Sequence, residues 1–466
     1  MASPTTDLPA ALPSARTAAR RAVFGWILFD PACQPYFTLI TTFIFAPYFA
    51  SAVAPTPADG QALWGFATGA AGLVIALCSP VLGAVADAAG RRKPWIFVFG
   101  LMLMAGAGLL WFAEPGNTAR IPLILSAFAL GTIGVEFATV FNNAIMPSLV
   151  APERLGRLSG AGWAAGYFGG LISLVLMLAF FATQPETGLT LLGLPPAFGL
   201  DAAAREGDRF VGPFTALWFA VLVLPMFAFV PDAPRALPLK AAVKAGLAEM
   251  RALLPKLKSR PVLARFLLAN MVYADGLVAL FAFGGIYAAG TFGWGSIEIG
   301  IFGILLTLTG TAGALAGGWL DDRLGSRAVI LAALGTLLFA AIGLLSVDRD
   351  AVLFGLLPTA PGSGLFGTVP EKVYVGLGLL IGLMAGPLQA ASRTLLVRLA
   401  PAENLAECFG LFALSGKITS FAAPTSVAVV TAATGSQKAG VAVLVVFFSL
   451  GAALVAGVRE HRPAGR

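Results

Sequence analysis

The sequence predicts an all-α membrane protein with twelve transmembrane helices in two six-helix halves. Three observations lead there. Of 466 residues, 58% are hydrophobic and only 11% charged, with a mean hydropathy of +0.87, whereas soluble domains carry about 25% charged residues. Apolar runs of the roughly 20 residues needed to cross a bilayer recur along the chain. A polar loop motif also occurs twice, about half a chain apart.

The apolar runs cover about 24–50, 61–87, 94–113, 120–150, 158–182 and 213–231 as spans one to six. Spans seven to twelve cover about 263–290, 297–321, 326–347, 373–399, 404–433 and 437–458. The expected organisation is a disordered tail (1–23), a first bundle (24–231), a linker (232–262), a second bundle (263–458) and a short tail (459–466). The 55 glycines suit helices that pack closely in lipid, where small residues let backbones approach. Cys33, Cys78 and Cys408 have no disulfide or metal spacing and read as small core residues. The single histidine, His461, lies in the C-terminal tail, so neither histidine catalysis nor a metal site is expected in the membrane. The first 20 residues are rich in Ala, Pro, Ser and Thr, without the apolar core and cleavage site of a signal peptide.

The net charge of +7 reads as topology rather than nucleic-acid binding. With the N-terminus in the cytoplasm, 23 of the 30 Lys and Arg residues fall on the inner side. Six fall outside, and Lys417 lies within a span. That bias is the positive-inside pattern, so both termini are expected inside.

Spans two and three are joined by "GAVADAAGRRK", and spans eight and nine by "GGWLDDRLGSR". Gly83, Asp87, Gly90 and Arg92 map onto Gly318, Asp322, Gly325 and Arg327 at a constant offset of 235. A weaker echo relates Gly160 and Gly166 to Gly410 and Gly416 at an offset of 250, the extra residues falling in the loop 348–372. Two halves of like orientation are parallel repeats about an axis along the membrane normal. In the linker, Leu239, Val243, Leu247, Met250 and Leu254 form one helical face, with Lys240, Lys244 and Arg251 on others. This reads either as a basic amphipathic helix on the inner leaflet or as an ordinary helical linker.

The pattern G-x-x-x-D-x-x-G-x-R in the 2–3 loop resembles the signature loop of the major facilitator superfamily. More narrowly, "GWILFDPACQPYFTLITTFIFAPYF", "FNNAIMPSLVAPERLGRLSGAGWAAGYFGG", "ALWFAVLVLPMFAFVPD", "YADG" and "GPLQAASRTLLVRLAPAENLAECFGLFALSGKITSFAAP" resemble the vacuole-effluxer subfamily. That subfamily is named for autophagy-linked amino-acid exporters. These stretches run from the first span to the eleventh. The subfamily continues its first aspartate with Trp-Ala-Asn-Ser, whereas Asp30 here is followed by Pro31, Ala32, Cys33 and Gln34. The resemblance implies a transporter and, for the substrate class, amino acids, while the departure after Asp30 implies a ligand different from the subfamily's own if these side chains touch it.

Ionisable groups within spans are costly and functional by default, at about 2.5–3.5 kcal/mol on insertion scales. They are Asp30, Glu136, Asp275 and Lys417, with Arg393 nearer the cytoplasmic end of span ten. The resemblance implies that spans one, four, seven and ten line a central cavity. Glu136, in mid-span four, reads as a proton-coupling group or as a packing carboxyl. Asp275, in span seven, reads as a substrate or proton site or as half of an ion pair. Lys417 reads as a charge lock between the halves rather than a direct ligand. Gln34, Asn142, Asn143, Gln389 and Arg393 supply polar groups for substrate or for interhelical bonds. Asp87, Arg91, Arg92, Asp322, Arg327 and Arg393 read as a conformational gate at the cytoplasmic ends, bonded in one closure, or as fixed topology charges. Pro31 and Pro35 each lack an N–H. They leave carbonyls that a kinked first helix presents, with Asp30, to the cavity or its inner gate. The competing account pairs Asp30 with a cytoplasmic arginine.

No phosphate-binding Gly-Lys-Ser/Thr loop is present, so ATP-driven transport by this chain is not expected. "PGSGLFG" has no partner histidine for a hydrolase, and no enzyme or cofactor is expected. The sequence reads as a secondary active transporter, symporter or antiporter, moving a small polar solute by alternating access with proton coupling. It is expected as a monomer in the lipid bilayer of a bacterial inner (plasma) membrane. The alternatives are a multidrug or lipid-like exporter of the same fold and a non-transporting membrane sensor or assembly partner.

Overall fold

The structure is a computed structural model that describes residues 13–89, 91–150, 155–184, 186–232, 241, 260–399, 412, 415–416 and 419–458. Lys417, nearly all of the linker helix and both outermost tails lie outside the described residues, as do the side chains of Asp87 and Asp322. Among the described residues, eleven helices are long and apolar enough to cross a membrane. A shorter apolar helix, Ala422–Thr434, stands where the sequence places span eleven. The fold is the twelve-helix membrane architecture expected.

Span one runs over Arg20–Val53, followed by Pro57–Ala89 (two), Lys93–Phe112 (three), Ile121–Ile145 (four), Leu155–Phe180 (five) and Glu206–Phe229 (six). The second half holds Pro261–Phe292 (seven), Ser296–Leu324 (eight), Ser326–Leu345 (nine), Val369–Leu399 (ten), Ala422–Thr434 (eleven) and Gln437–Ala456 (twelve). We call the face carrying the 53–57 turn distal, and the opposite face, where span one begins and span twelve ends, proximal.

The helix pairings repeat. Spans three and four, two and four, and three and six pack together, and so do nine and ten, eight and ten, and nine and twelve. Contacts across the seam obey the same symmetry, because two packs on eleven and eight packs on five. Exchanging the halves turns one pair into the other. Among the eleven long spans, one and seven are the most enclosed, with 72% and 67% of an apolar 18-residue stretch buried, and six and twelve the least at 33% each. The exposed large apolar residues of spans three, six, nine and twelve, such as Phe97, Leu217, Phe339 and Val446, therefore form the lipid face.

Span one is not a continuous α-helix. It is α-helical as far as Pro35, becomes π-helix over Tyr36–Phe43, and breaks at Ile44. Pro35 cannot donate to the carbonyl of Pro31, which an α-helix would otherwise use. That carbonyl instead accepts from the Trp218 indole of span six at 2.8 Å. Thr41 and Thr42 bond back to the carbonyls of Tyr36 and Phe37 at 3.2 and 2.8 Å. The sequence reading sent the Pro31 carbonyl to the cavity, but the structure gives it to a neighbouring helix, because lipid offers no donor.

Trp218→Phe leaves the Pro31 carbonyl without its donor, at a cost of about 1–3 kcal/mol. The melting temperature of the detergent-purified protein should drop measurably. An unchanged melting temperature would show that the bond contributes nothing.

Candidate functional site

On the distal side the two halves meet through glycine faces and hydrogen bonds. Gly65, Gly69 and Gly72 recur at one-turn spacing on span two and face Ala428, Thr425 and Phe421 of span eleven. A Cβ on Gly65 would stand 2.8 Å from that of Ala428, closer than packed carbons allow. Small residues thus permit the helices to touch. Beside them Gln61, wholly buried, donates to Thr431 at 2.8 Å and to the Gln437 carbonyl at 3.2 Å. Gln437 donates back to the Pro57 carbonyl at 2.9 Å. Across the seam, Gly300 packs on Leu178 and Gly303 on Phe43.

A second distal closure is charged. Asp208, in the first turn of span six, is fully buried and accepts a hydrogen bond from Ser296, the first residue of span eight. A buried carboxylate needs a counter-charge, and Arg205 supplies it at 2.6 Å while lying over the Tyr48 ring at 5.3 Å. The aspartate also sits at a helix N-terminus, where negative charge is favoured. A cavity of about 160 Å³ opens beside it, lined by Tyr48, Ser51, Arg205, Trp294 and Ser296 among others. The sequence reading singled out none of Arg205, Asp208 and Ser296. The available signal was the acidic first turn of "REGDR". Nearby, in the loop after span three, the Asn117 amide holds the Glu114 carboxyl below its usual range, ahead of Arg120 and Arg209.

Towards the proximal side, span five presents Gly162, Gly166, Gly169 and Gly170 to span one. Asp30 lies against Gly162 and Gly166, Pro31 against Gly169, and Gln34 and Thr38 against Gly170. A Cβ on Gly162 would stand 2.5 Å from the Asp30 carboxylate, so only glycine leaves room for it. Trp26 touches Gly162 too and donates to the Asn142 carbonyl of span four at 2.8 Å. The buried Cys33 faces span four, where Thr139 is its neighbour and Glu136 is within electrostatic reach, as is Asp30. The structure thus gathers Asp30, Cys33, Gln34 and Glu136 into one region where spans one, four and five meet. Asn143 is exposed near the proximal end, whereas Asn142 is wholly buried with both amide atoms unpartnered among the described residues.

In the second half Asp275 is buried, with Thr419 and the backbone amide of Ala423 beside its carboxylate. Ala423 is in the first turn of span eleven, so Asp275 occupies a helix N-terminus. Its Oδ2 has no hydrogen-bond partner among the described residues. One turn away, Tyr273 and Ser392 bond at 2.7 Å, and Asn270 donates to Ser415 at 3.2 Å. Gln389 is half-buried on span ten. Arg393 crosses the seam, its guanidinium 5.6 Å from the Trp163 ring centre.

Two of the expected gate arginines make described hydrogen bonds near the proximal ends of their own spans. The Arg92 backbone N–H donates to Asp232 at 2.8 Å, Arg327 donates to the Ala456 carbonyl at 2.7 Å, and Arg91 is exposed. An ion pair joins Arg398 to Asp321 at 3.7 Å, one residue before the aspartate that the repeat singles out.

The family model described as Vacuole effluxer Atg22 like matches residues 61–464. Over 446 residues the chain is 24% identical to the uncharacterized MFS-type transporter YxiO of Bacillus subtilis (strain 168), with 94% of each chain covered. It is 26% identical over 304 residues to autophagy-related protein 22 of Cryptococcus neoformans, covering 62% of this chain and 48% of that relative. The match thus spans about half the fungal protein. The fold is similar to the xylose transporter XylE of E. coli (TM-score 0.60, 13% identity, 96% and 97% of the two chains). It is also similar to a D-xylose-proton symporter (TM-score 0.63, 14% identity, 96% and 98%). At such identities the likeness is one of fold.

The distal closure can be probed at Ala289, which is 5% exposed and lines the distal cavity. In protein whose three native cysteines are replaced, Ala289→Cys should react slowly with a bulky maleimide. Adding Asp208→Ala removes the bond to Ser296 and strands Arg205, and should raise that rate several-fold. An unchanged rate would show that Asp208 does not hold the halves together.

Proposed function

The chain belongs to the vacuole effluxer Atg22-like family of major facilitator transporters, and from that premise we propose that it moves a small, amino-acid-like solute by proton-coupled alternating access. The transporting units are the bundles 24–231 and 263–458, with 232–262 as the connection. The proximal face is the cytoplasmic one, by its excess of Lys and Arg, and the membrane is a plasma membrane. The chain acts as a monomer and carries out no chemistry of its own.

One observation carries the reading. The halves are joined distally by single hydrogen bonds and glycine contacts, while Asp30, Glu136 and Arg393 lie away from that closure. A hydrogen bond contributes about 0.5–1.5 kcal/mol net, so a closure made of a few can be exchanged for another. Asp30, Gln34, Glu136 and Asn143 then face the solute or the proton from the first half, and Asp275, Gln389 and Arg393 from the second. Lys417 keeps its assignment as a charge lock. Asp87, Arg91, Arg92, Asp322 and Arg327 serve the opposite, cytoplasmic closure.

Transport requires that solute or proton occupancy have different free energies in the two closures. A carboxylate within a span supplies such a difference when one closure exposes it to water and the other does not. Glu136 and Asp30 are the groups assigned this role.

Proteoliposomes offered a panel of labelled L-amino acids, with and without a pH gradient, test it. Gradient-driven movement of at least one member is expected. Glu136→Gln should abolish the gradient's effect while leaving exchange of solute for solute. Movement of no member under any gradient would end the amino-acid assignment, and an undiminished gradient effect in Glu136→Gln and Asp30→Asn would remove both from coupling.

A further inference from the structure

Arg393 is placed unusually for a charge in a membrane span. It lies six residues before the end of span ten, about 9 Å into the helix at 1.5 Å per residue. Its guanidinium lies over the Trp163 ring of the other half, 5.6 Å from the ring centre. Tyr167, one turn further along span five, is within electrostatic reach of the same guanidinium. The Trp163 and Tyr167 rings pack together, with centres 6.0 Å apart and planes at 40°. Both rings are exposed, at 46% and 45%, so they form an open aromatic wall.

A ring face attracts a cation by about 0.5–2 kcal/mol but does not neutralise it. Guanidinium has five N–H donors in a fork matched to carboxylate. Among the described residues Arg393 makes no ion pair, although Asp30 rests on Gly162, the residue next to Trp163. A cation from one half and a carboxylate from the other thus flank the same turn of span five without joining. A cation within a span that faces open space and lacks a charged partner is by default a candidate ligand site.

We propose that Arg393, held on Trp163 and Tyr167, binds the carboxylate of the transported solute at the seam between the halves. The inference rests on the transporter assignment and narrows its substrate class to solutes bearing a free carboxylate. Trp163 and Tyr167 fix the guanidinium plane and offer the solute an apolar surface. Because Arg393 and Trp163 come from different halves, a bound carboxylate stabilises the arrangement in which they meet and couples occupancy to the closure.

The experiment measures binding of labelled L-amino acids to the purified full-length protein, in competition with each amino acid and its C-terminal amide. The wild type should prefer the free acid by about 10- to 100-fold, the range for a hydrogen bond to a charged group. Arg393→Gln should bring that ratio close to one, Arg393→Lys should keep part of it, and Trp163→Phe should keep most. Should Arg393→Gln fail to fold, judged by its melting temperature, Arg393→Lys and Trp163→Ala must each still lower the ratio. If wild type binds acid and amide equally, or Arg393→Gln weakens both alike, Arg393 is only a closure contact and the inference falls while transport stands. If no panel member binds, the amino-acid assignment and the inference fall together.

Discussion

A polar group that faces hydrocarbon without a partner costs several kcal/mol, and this constraint explains most of the internal arrangement. It acts first on the backbone. Pro35 frees the Pro31 carbonyl, and the freed carbonyl fixes where Trp218 of span six must stand. It acts next on side chains. Asp208 is buried only because Arg205 and Ser296 meet it, and Gln61 only because spans eleven and twelve accept its protons. Where another helix meets such a demand, as Ser296 does for Asp208 and Thr431 for Gln61, it ties two helices together. The apolar face toward lipid makes no such demand, and spans three, six, nine and twelve display large apolar residues there.

The same constraint separates durable contacts from replaceable ones. Within each half, repeated pairings such as three with four and nine with ten bury continuous apolar surface, worth about 25 cal/mol per Å² against water. In lipid that gain is absent, and packing and hydrogen bonds carry the association. Between the halves the contacts are glycine faces and isolated bonds. Such a seam holds one arrangement without excluding another, as a moving part needs.

The fold was legible in the sequence because its signals are periodic or repeated. Apolar runs of bilayer length gave the spans, and the loop motif at an offset of 235 gave two like halves, matched by the recurring helix pairings. The seam was legible only in part. Asp30, Glu136 and Arg393 stand out as charges in apolar runs. Asp208 does not, because it sits among the charges of "REGDR" at a span boundary and is buried only by the arrival of Ser296, 88 residues later. The Pro31 carbonyl had a legible cause and an illegible partner: proline announces a free acceptor, but only three-dimensional packing brings Trp218 to it. Arg327 bonds a helix end at Ala456, and Asp321, next to the repeat-matched Asp322, pairs with Arg398, contacts that the repeat alone does not announce.

The two sides of the seam also differ in kind. Distally, Asp208 has its counter-charge in Arg205, and the Gln61 amide N–H groups have acceptors in Thr431 and Gln437. Nearer the proximal side, Asp30 rests on glycine and Arg393 on an indole ring, and neither neighbour cancels a charge. A closure that is already satisfied gains little from a solute, whereas a cation and a carboxylate left apart on one turn of span five gain from anything that bridges or neutralises them. Pro31, Cys33 and Gln34, which follow Asp30, fall on this same ground. Pro31 packs on Gly169, Cys33 faces span four beside Thr139, and Gln34 packs along span five. They surround a carboxylate that the chain's own helices leave incomplete, so a change in any of them alters those surroundings without disturbing the distal closure.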